Sequence, residues 1–185
     1  VLQSVLTEGK TSRLYKALVE KQLATSVGAD ATDGFDPGLL YVFAVAADGV
    51  AGAKVEKALL DEIDNVVKNG ISAQELQAVK NKKLVNLYRA QETINGKAQQ
   101  LGNYETFFGD WRKLFAAPAE FEKLTTADIQ AVAARYLKKQ QRTIGVLAGH
   151  VKRKYDGPNA RSVSAADERR DVRVRAVWAR ITMKV

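Results

Sequence analysis

The stretch Gly9-Lys-Thr-Ser-Arg-Leu-Tyr-Lys-Ala-Leu-Val-Glu-Lys-Gln-Leu-Ala-Thr-Ser-Val27 changes its period partway along, and that change decides the fold. Leu14, Ala17 and Leu18 recur at helical spacing, with Lys16, Glu20 and Lys21 on the other side. Thr11 or Ser12 can cap the helix by accepting a hydrogen bond from a free backbone N–H. Further on the period is two, with Val27, Ala29 and Ala31 alternating with Ser26, Gly28 and Asp30. The sequence therefore predicts a helix over 11–22 running straight into a strand over 24–32.

The elements on either side follow from the same signals. Val1 to Leu6 reads as a short apolar helix, interrupted at Glu8-Gly9. The run Asp33-Gly34-Phe35-Asp36-Pro37-Gly38 is dense in turn formers and predicts a hairpin connection. Leu39 to Ala47 is almost wholly apolar, as a central strand covered on at least one face would be. Ala53 to Lys68 predicts an amphipathic helix with Val55, Leu59, Ile63, Val66 and Val67 inward, closed by Asn69-Gly70. Ser72 and Glu75 have the spacing of a capping box. The helix launched there keeps an apolar face to Phe108, with a break expected near Asn95-Gly96. A short helix over 111–116 is expected before Pro118, with Asp110 as its cap. Another helix opens at Thr125, turning Ile129, Val132, Ala133, Tyr136 and Leu137 inward. Arg142 to Ala148 reads as a closing strand. Two strands sharing a short turn pair antiparallel. The expected class is α+β, an antiparallel sheet covered on one face by helices.

The totals bound the function. A chain of 185 residues makes one domain, or one with an appendage. There is no cysteine, so no disulfide and no thiolate metal site. No apolar run is long enough to span a membrane. The formal charge of +8 is unevenly spread: residues 150–185 carry +6 of it and the remainder +2. A basic face on the folded body, the usual nucleic-acid footprint, is not expected.

Gly9, Ser12, Arg13, Leu14, Tyr15, Leu18, Leu23, Ala24, Ser26 and Val27 match, in register, a G-x-x-S-R-L-Y-x-x-L … L-A-x-S-V signature. The chain in this respect resembles the insulinase / pitrilysin / mitochondrial processing peptidase family of zinc metallopeptidases. The resemblance extends to about Gly149. It implies a processing-peptidase-like domain over 1–149, truncated at its N-terminus because the strand that usually precedes the opening helix is missing. Residues 150–185 form a basic tail, disordered or unrelated; Val172, Val174, Ala176 and Trp178 could instead make an edge strand.

The family's inverted H-x-x-E-H motif holds zinc through two histidines and activates water with the glutamate. The chain has one histidine, His150, expected in an exposed loop, and no glutamate follows it at that spacing. Catalytic and metal-binding residues are therefore expected to be none, and zinc is expected in the full-length enzyme. The family's second site is an Arg/Tyr pair that positions substrate or stabilises an oxyanion. Val19 and Thr25 stand at those positions, and neither can do that work. Gly9, Ser12, Arg13, Leu14 and Tyr15 are assigned structural roles, with Arg13 pairing a carboxylate or capping a helix end. A phosphate-loop reading of Gly9-Lys10-Thr11 fails, because Ser4 lies where the first glycine should be. Tyr88, Tyr104, Phe107, Phe108, Trp111 and Phe115 read as core packing.

The resemblance implies a non-catalytic domain of a zinc-dependent metalloendopeptidase, the second domain of its zinc-bearing half. Its expected partners are the zinc-bearing domain, in the same chain or a partner subunit, and a peptide substrate enclosed in a chamber. The alternative is a catalytically inactive relative acting as a structural or assembly subunit. A third reading, a surface-binding protein acting through the basic tail, has less behind it. The compartment stays open between periplasm and cytoplasm.

Overall fold

The computed structural model describes residues 1–31, 38–150 and 172–182. The elements run α1 (Leu2–Thr7), a π-helical turn (Tyr15–Val19), β1 (Ala24–Ala31), β2 (Leu39–Ala46), α2 (Gly52–Asn69), α3 (Ala73–Ala90) and α4 (Ile94–Phe108). They continue with α5 (Lys113–Lys123), α6 (Thr126–Tyr136), a 3-10 turn (Lys139–Gln141), β3 (Arg142–His150) and β4 (Val172–Thr182). The strands form one antiparallel sheet in the order β1-β2-β4-β3. The class is α+β, as the sequence predicts. The expected hairpin turn at 33–38 lies, apart from Gly38, outside the described residues.

β2 is central and alternates as a strand with one covered face must. Leu40, Val42, Ala44 and Ala46 are buried, while Phe43 between them is exposed. The covering helix is α2, whose Val55, Leu59, Ile63 and Val66 are fully buried in the same core cluster. On the outer face Phe43 is paired in register with Gly28. Its ring lies across that residue, 2.4 Å from where a Cβ would sit.

The opening helix differs from its sequence reading. It is short, and its turns are wide: Glu20 N–H donates to Tyr15 O at 3.0 Å and Leu23 N–H to Leu18 O at 2.8 Å, a five-residue spacing. The wider turn leaves Leu14 and Leu18 both fully buried before Gln22, at φ 57°, swings the chain into β1. Nor does Ser12 cap by accepting; its Oγ donates to Gly9 O at 2.7 Å.

Further on, the long helix breaks at 91–93, ahead of Asn95-Gly96. Thr93 starts α4 by accepting from Gly96 N–H at 3.0 Å. Gly96 is not the break but the residue that tolerates it. A Cβ there would sit 2.0 Å from the Ala90 carbonyl oxygen at the end of α3. Likewise α5 does not stop before Pro118 but runs through it. Proline removes one N–H and crowds the preceding turn, yet the helix still buries Leu114 and Ala117. The expected capping box at Ser72–Glu75 is formed, and a second, Thr125–Asp128, opens α6.

The aromatic stripe is not core. Tyr88, Phe107, Phe108, Trp111 and Phe115 are exposed, and α4 buries none of its residues. Val132 also faces outward. Periodicity marks an apolar face; it does not say that an element covers it.

Val172–Thr182 is a strand but not an edge strand. It pairs with β2 on one side and β3 on the other. Each neighbour turns a row of backbone N–H and C=O groups towards it, and a strand between them satisfies both rows. His150 is the last residue of β3, opposite Val172, and so belongs to a strand rather than a loop.

Candidate functional site

The motif segment Gly9–Tyr15 sits between α1 and the π-helical turn, and Arg13 is the residue through which it reaches the rest of the molecule. Arg13 Nε donates to Glu75 Oε1 at 2.7 Å and Nη2 to Glu75 Oε2 at 2.9 Å. Its Nη1 donates to Glu62 Oε1 at 3.3 Å. One guanidinium thereby ties the opening segment to α2 and to the first turn of α3. Glu75 is used twice, since Oε2 also accepts from Ser72 N–H at 2.8 Å as half of the capping box. The Arg13 hydrogen bond, opposed by burial and helped by Ser72, holds the Glu75 carboxyl down at about 2, from an ordinary 4.5. The same bond to Glu75 raises Arg13. All three guanidinium nitrogens are engaged, so Arg13 acts as a tie between elements.

Around it, Ser12 and Leu14 are buried and Tyr15 is half-buried. Val19 closes the π-helical turn and is half-buried. Thr25 lies at the irregularity between Ala24 and Ser26 where β1 shifts register on β2. Its Oγ1 donates to Val45 O at 3.3 Å. Neither position presents a guanidinium or a phenol.

A second charged cluster was not legible in the sequence. Arg142 Nη2, on the first residue of β3, donates to Asp64 Oδ1 at 2.8 Å and to Leu137 O at 3.1 Å. Lys139 Nζ stands 3.5 Å from Asp64 Oδ2. Burial pushes the Asp64 carboxyl up, and the Arg142 bond and charge, with Lys139, more than offset it, leaving the group below its ordinary value. The Arg142 side chain is 5% exposed, and its Nε has no partner among the described residues. A cleft of about 480 Å³ opens beside this pair, lined by Glu56, Leu60, Asp61 and Ile144 among others. Asp64 and Arg142 are separated by 78 residues, and no local pattern marks either.

Between α4 and α5 lies an apolar groove of about 420 Å³ formed by Tyr104, Phe108, Ala116, Ala117 and Phe121. Lys80 anchors α5 to α3 from beneath, its Nζ donating to Glu122 O at 2.9 Å.

The donor set does not fit a zinc site of the two-histidine-one-glutamate type. The chain has one histidine and no cysteine. Among the described residues no group of three or more His, Cys, Asp or Glu side chains is placed to hold a metal ion. Among the described residues no helix is long and apolar enough to cross a membrane.

Residues 1–83 match the family model described as the peptidase M16 inactive domain. Over 152 residues the chain is 30% identical to uncharacterised zinc proteases of Mycobacterium tuberculosis and Mycobacterium bovis, an alignment covering 81% of this chain and 34% of each relative. The chain thus spans about a third of the length of those relatives. A candidate zinc protease from Bordetella pertussis superposes with TM-score 0.65 at 27% identity, covering 77% of this chain and 78% of that one. The inactive peptidase domain of a candidate zinc protease from Bordetella parapertussis gives TM-score 0.65 at 26% identity over 76% of each chain. A protease from Helicobacter pylori shares the fold, with TM-score 0.67 at 24% identity, over 76% of this chain and 34% of that one.

Proposed function

We propose a role that proceeds from one premise: the chain belongs to the peptidase M16 zinc protease family, as an inactive domain. Its task is to support a zinc-bearing domain and to form part of the chamber in which a peptide is hydrolysed. Zinc and the activated water are held by that other domain, in the same polypeptide or in a partner subunit. The domain's body is residues 1–149 together with the strand Val172–Thr182, which fills the sheet between β2 and β3.

One observation carries this reading. The motif's arginine is consumed in a structural tie to Glu75 and Glu62, while Val19 has no side-chain donor and the Thr25 hydroxyl is spent on Val45 O. A domain built this way contributes shape and rigidity. A closed wall excludes water and holds an extended peptide near the metal, which raises the rate through positioning.

The test compares the purified chain alone with the same chain co-expressed with a zinc-bearing domain of an M16 protease. A fluorogenic peptide and metal analysis supply the readouts. The chain alone should show no turnover and no stoichiometric zinc, and the pair should show chelator-sensitive turnover. Chelator-sensitive turnover by the chain alone overturns the proposal. A stable pair without turnover favours a structural or assembly subunit instead.

A further inference from the structure

The sheet is held together by its last strand. β2 pairs through Leu39–Ala44 with Thr182–Val177 of β4, and β3 pairs with β4 from Arg142 to His150. β2 and β3 are not neighbours. With β4 lifted out, two rows of backbone N–H and C=O groups would face each other across one strand's width, roughly 9–10 Å from backbone to backbone. Such a slot takes one extended segment, antiparallel to both walls.

We propose that Val172–Thr182 is an exchangeable strand, and that the slot between β2 and β3 accepts the same strand from a second copy of this chain. Three features point to it. The β3–β4 pair is an antiparallel neighbour pair, yet residues 151–171 separate its strands, where hairpins are normally closed by about two to five residues. A connection of that length does not fix which copy's strand fills the slot; fully extended it would reach roughly 70 Å. The strand also carries its own β pattern, Val172, Val174 and Ala176 alternating with Arg173 and Arg175. Finally, its docking is backbone pairing on both sides, which any copy reproduces. Covalent attachment alone raises the local concentration of the chain's own strand above that of a second copy's strand in dilute solution. In dilute solution each chain therefore fills its own slot, and cutting the tether removes that advantage.

The experiment uses the full chain with a protease site placed within residues 151–171. After cutting, a labelled peptide of the sequence Val172–Thr182 stands in for the second copy's strand. The cut segment should co-elute with the body, and the labelled peptide should enter to one per chain. The uncut chain should take up at least about tenfold less at the same peptide concentration. A peptide with Val177→Pro should not enter, because Val177 pairs with both Ala44 and Val146 and proline cannot serve a central strand. Release of the segment on cutting with the circular dichroism spectrum unchanged overturns the proposal. So does failure of the labelled strand to enter the cut protein, or equal uptake of the proline peptide.

Discussion

Arg13 and Glu75, separated by 62 residues, meet in a two-point ion pair, Nε to Oε1 at 2.7 Å and Nη2 to Oε2 at 2.9 Å. The side chains are 18% and 31% exposed, so the contact is shielded without being dry. A planar guanidinium matched to both carboxylate oxygens is the geometry in which such pairs hold best. Lysine could not reproduce it.

The pair has a pH signature. Glu75 is held at about 2 in the folded chain, against an ordinary 4.5. A depressed acid contributes stability that is fully present above its unfolded value and is lost as pH falls through the folded one. The native chain should lose this increment between pH 4.5 and about 2. Glu75→Gln should cost about 1–2 kcal/mol at neutral pH and lack that part of the acid slope. Urea midpoints across the range decide it; parallel slopes for both proteins would refute the assignment.

On α5, neighbouring residues should behave oppositely. Leu114 is 1% exposed and Phe115 62%. Leu114→Ala should cost about 2–5 kcal/mol through lost burial and a cavity. Phe115→Ala should stay within about 0.5 kcal/mol, as a surface change does. Denaturant unfolding measures both. A large loss at Phe115 would mean that its ring is covered.

The two glycines of α4 give a second contrast. A Cβ on Gly96 would meet the Ala90 carbonyl oxygen at 2.0 Å, whereas one on Gly102 meets nothing within 4 Å among the described residues. Gly96→Ala should destabilise by about 1–3 kcal/mol, the usual range for overpacking. Gly102→Ala should stabilise by about 0.5–1 kcal/mol through helix propensity. Thermal melts of the two variants should shift in opposite directions, and a shift in the same direction would contradict the α3–α4 junction described above.

Local chemistry was readable from the residues, and distant pairing was not. The capping box at Ser72, the helix start at Thr125 and the inward face Val55–Leu59–Ile63–Val66 depend on neighbours within a turn or two, so spacing alone located them. The break expected near Gly96 falls at 91–93, and the stop expected before Pro118 is not made, because both residues carry only general breaker signals. Their real effect depends on what passes close by: Ala90 at Gly96, and the burial of Leu114 and Ala117 around Pro118. Arg13 could be expected to find a carboxylate, but Glu62 and Glu75 could not be named. The Asp64–Arg142 pair left no local trace at all.

By itself, the sequence determined the order of helices and strands as far as β3, the α+β class, and the shortage of imidazole and thiolate ligands, because period, caps and composition act over a few residues. Tertiary structure alone decided that the Phe108–Phe115 aromatics face outward, that Arg13 is tied down by two glutamates, and that the last strand lies inside the sheet. Those outcomes depend on which surfaces meet across the chain, and a pattern of apolar positions does not specify what will cover it.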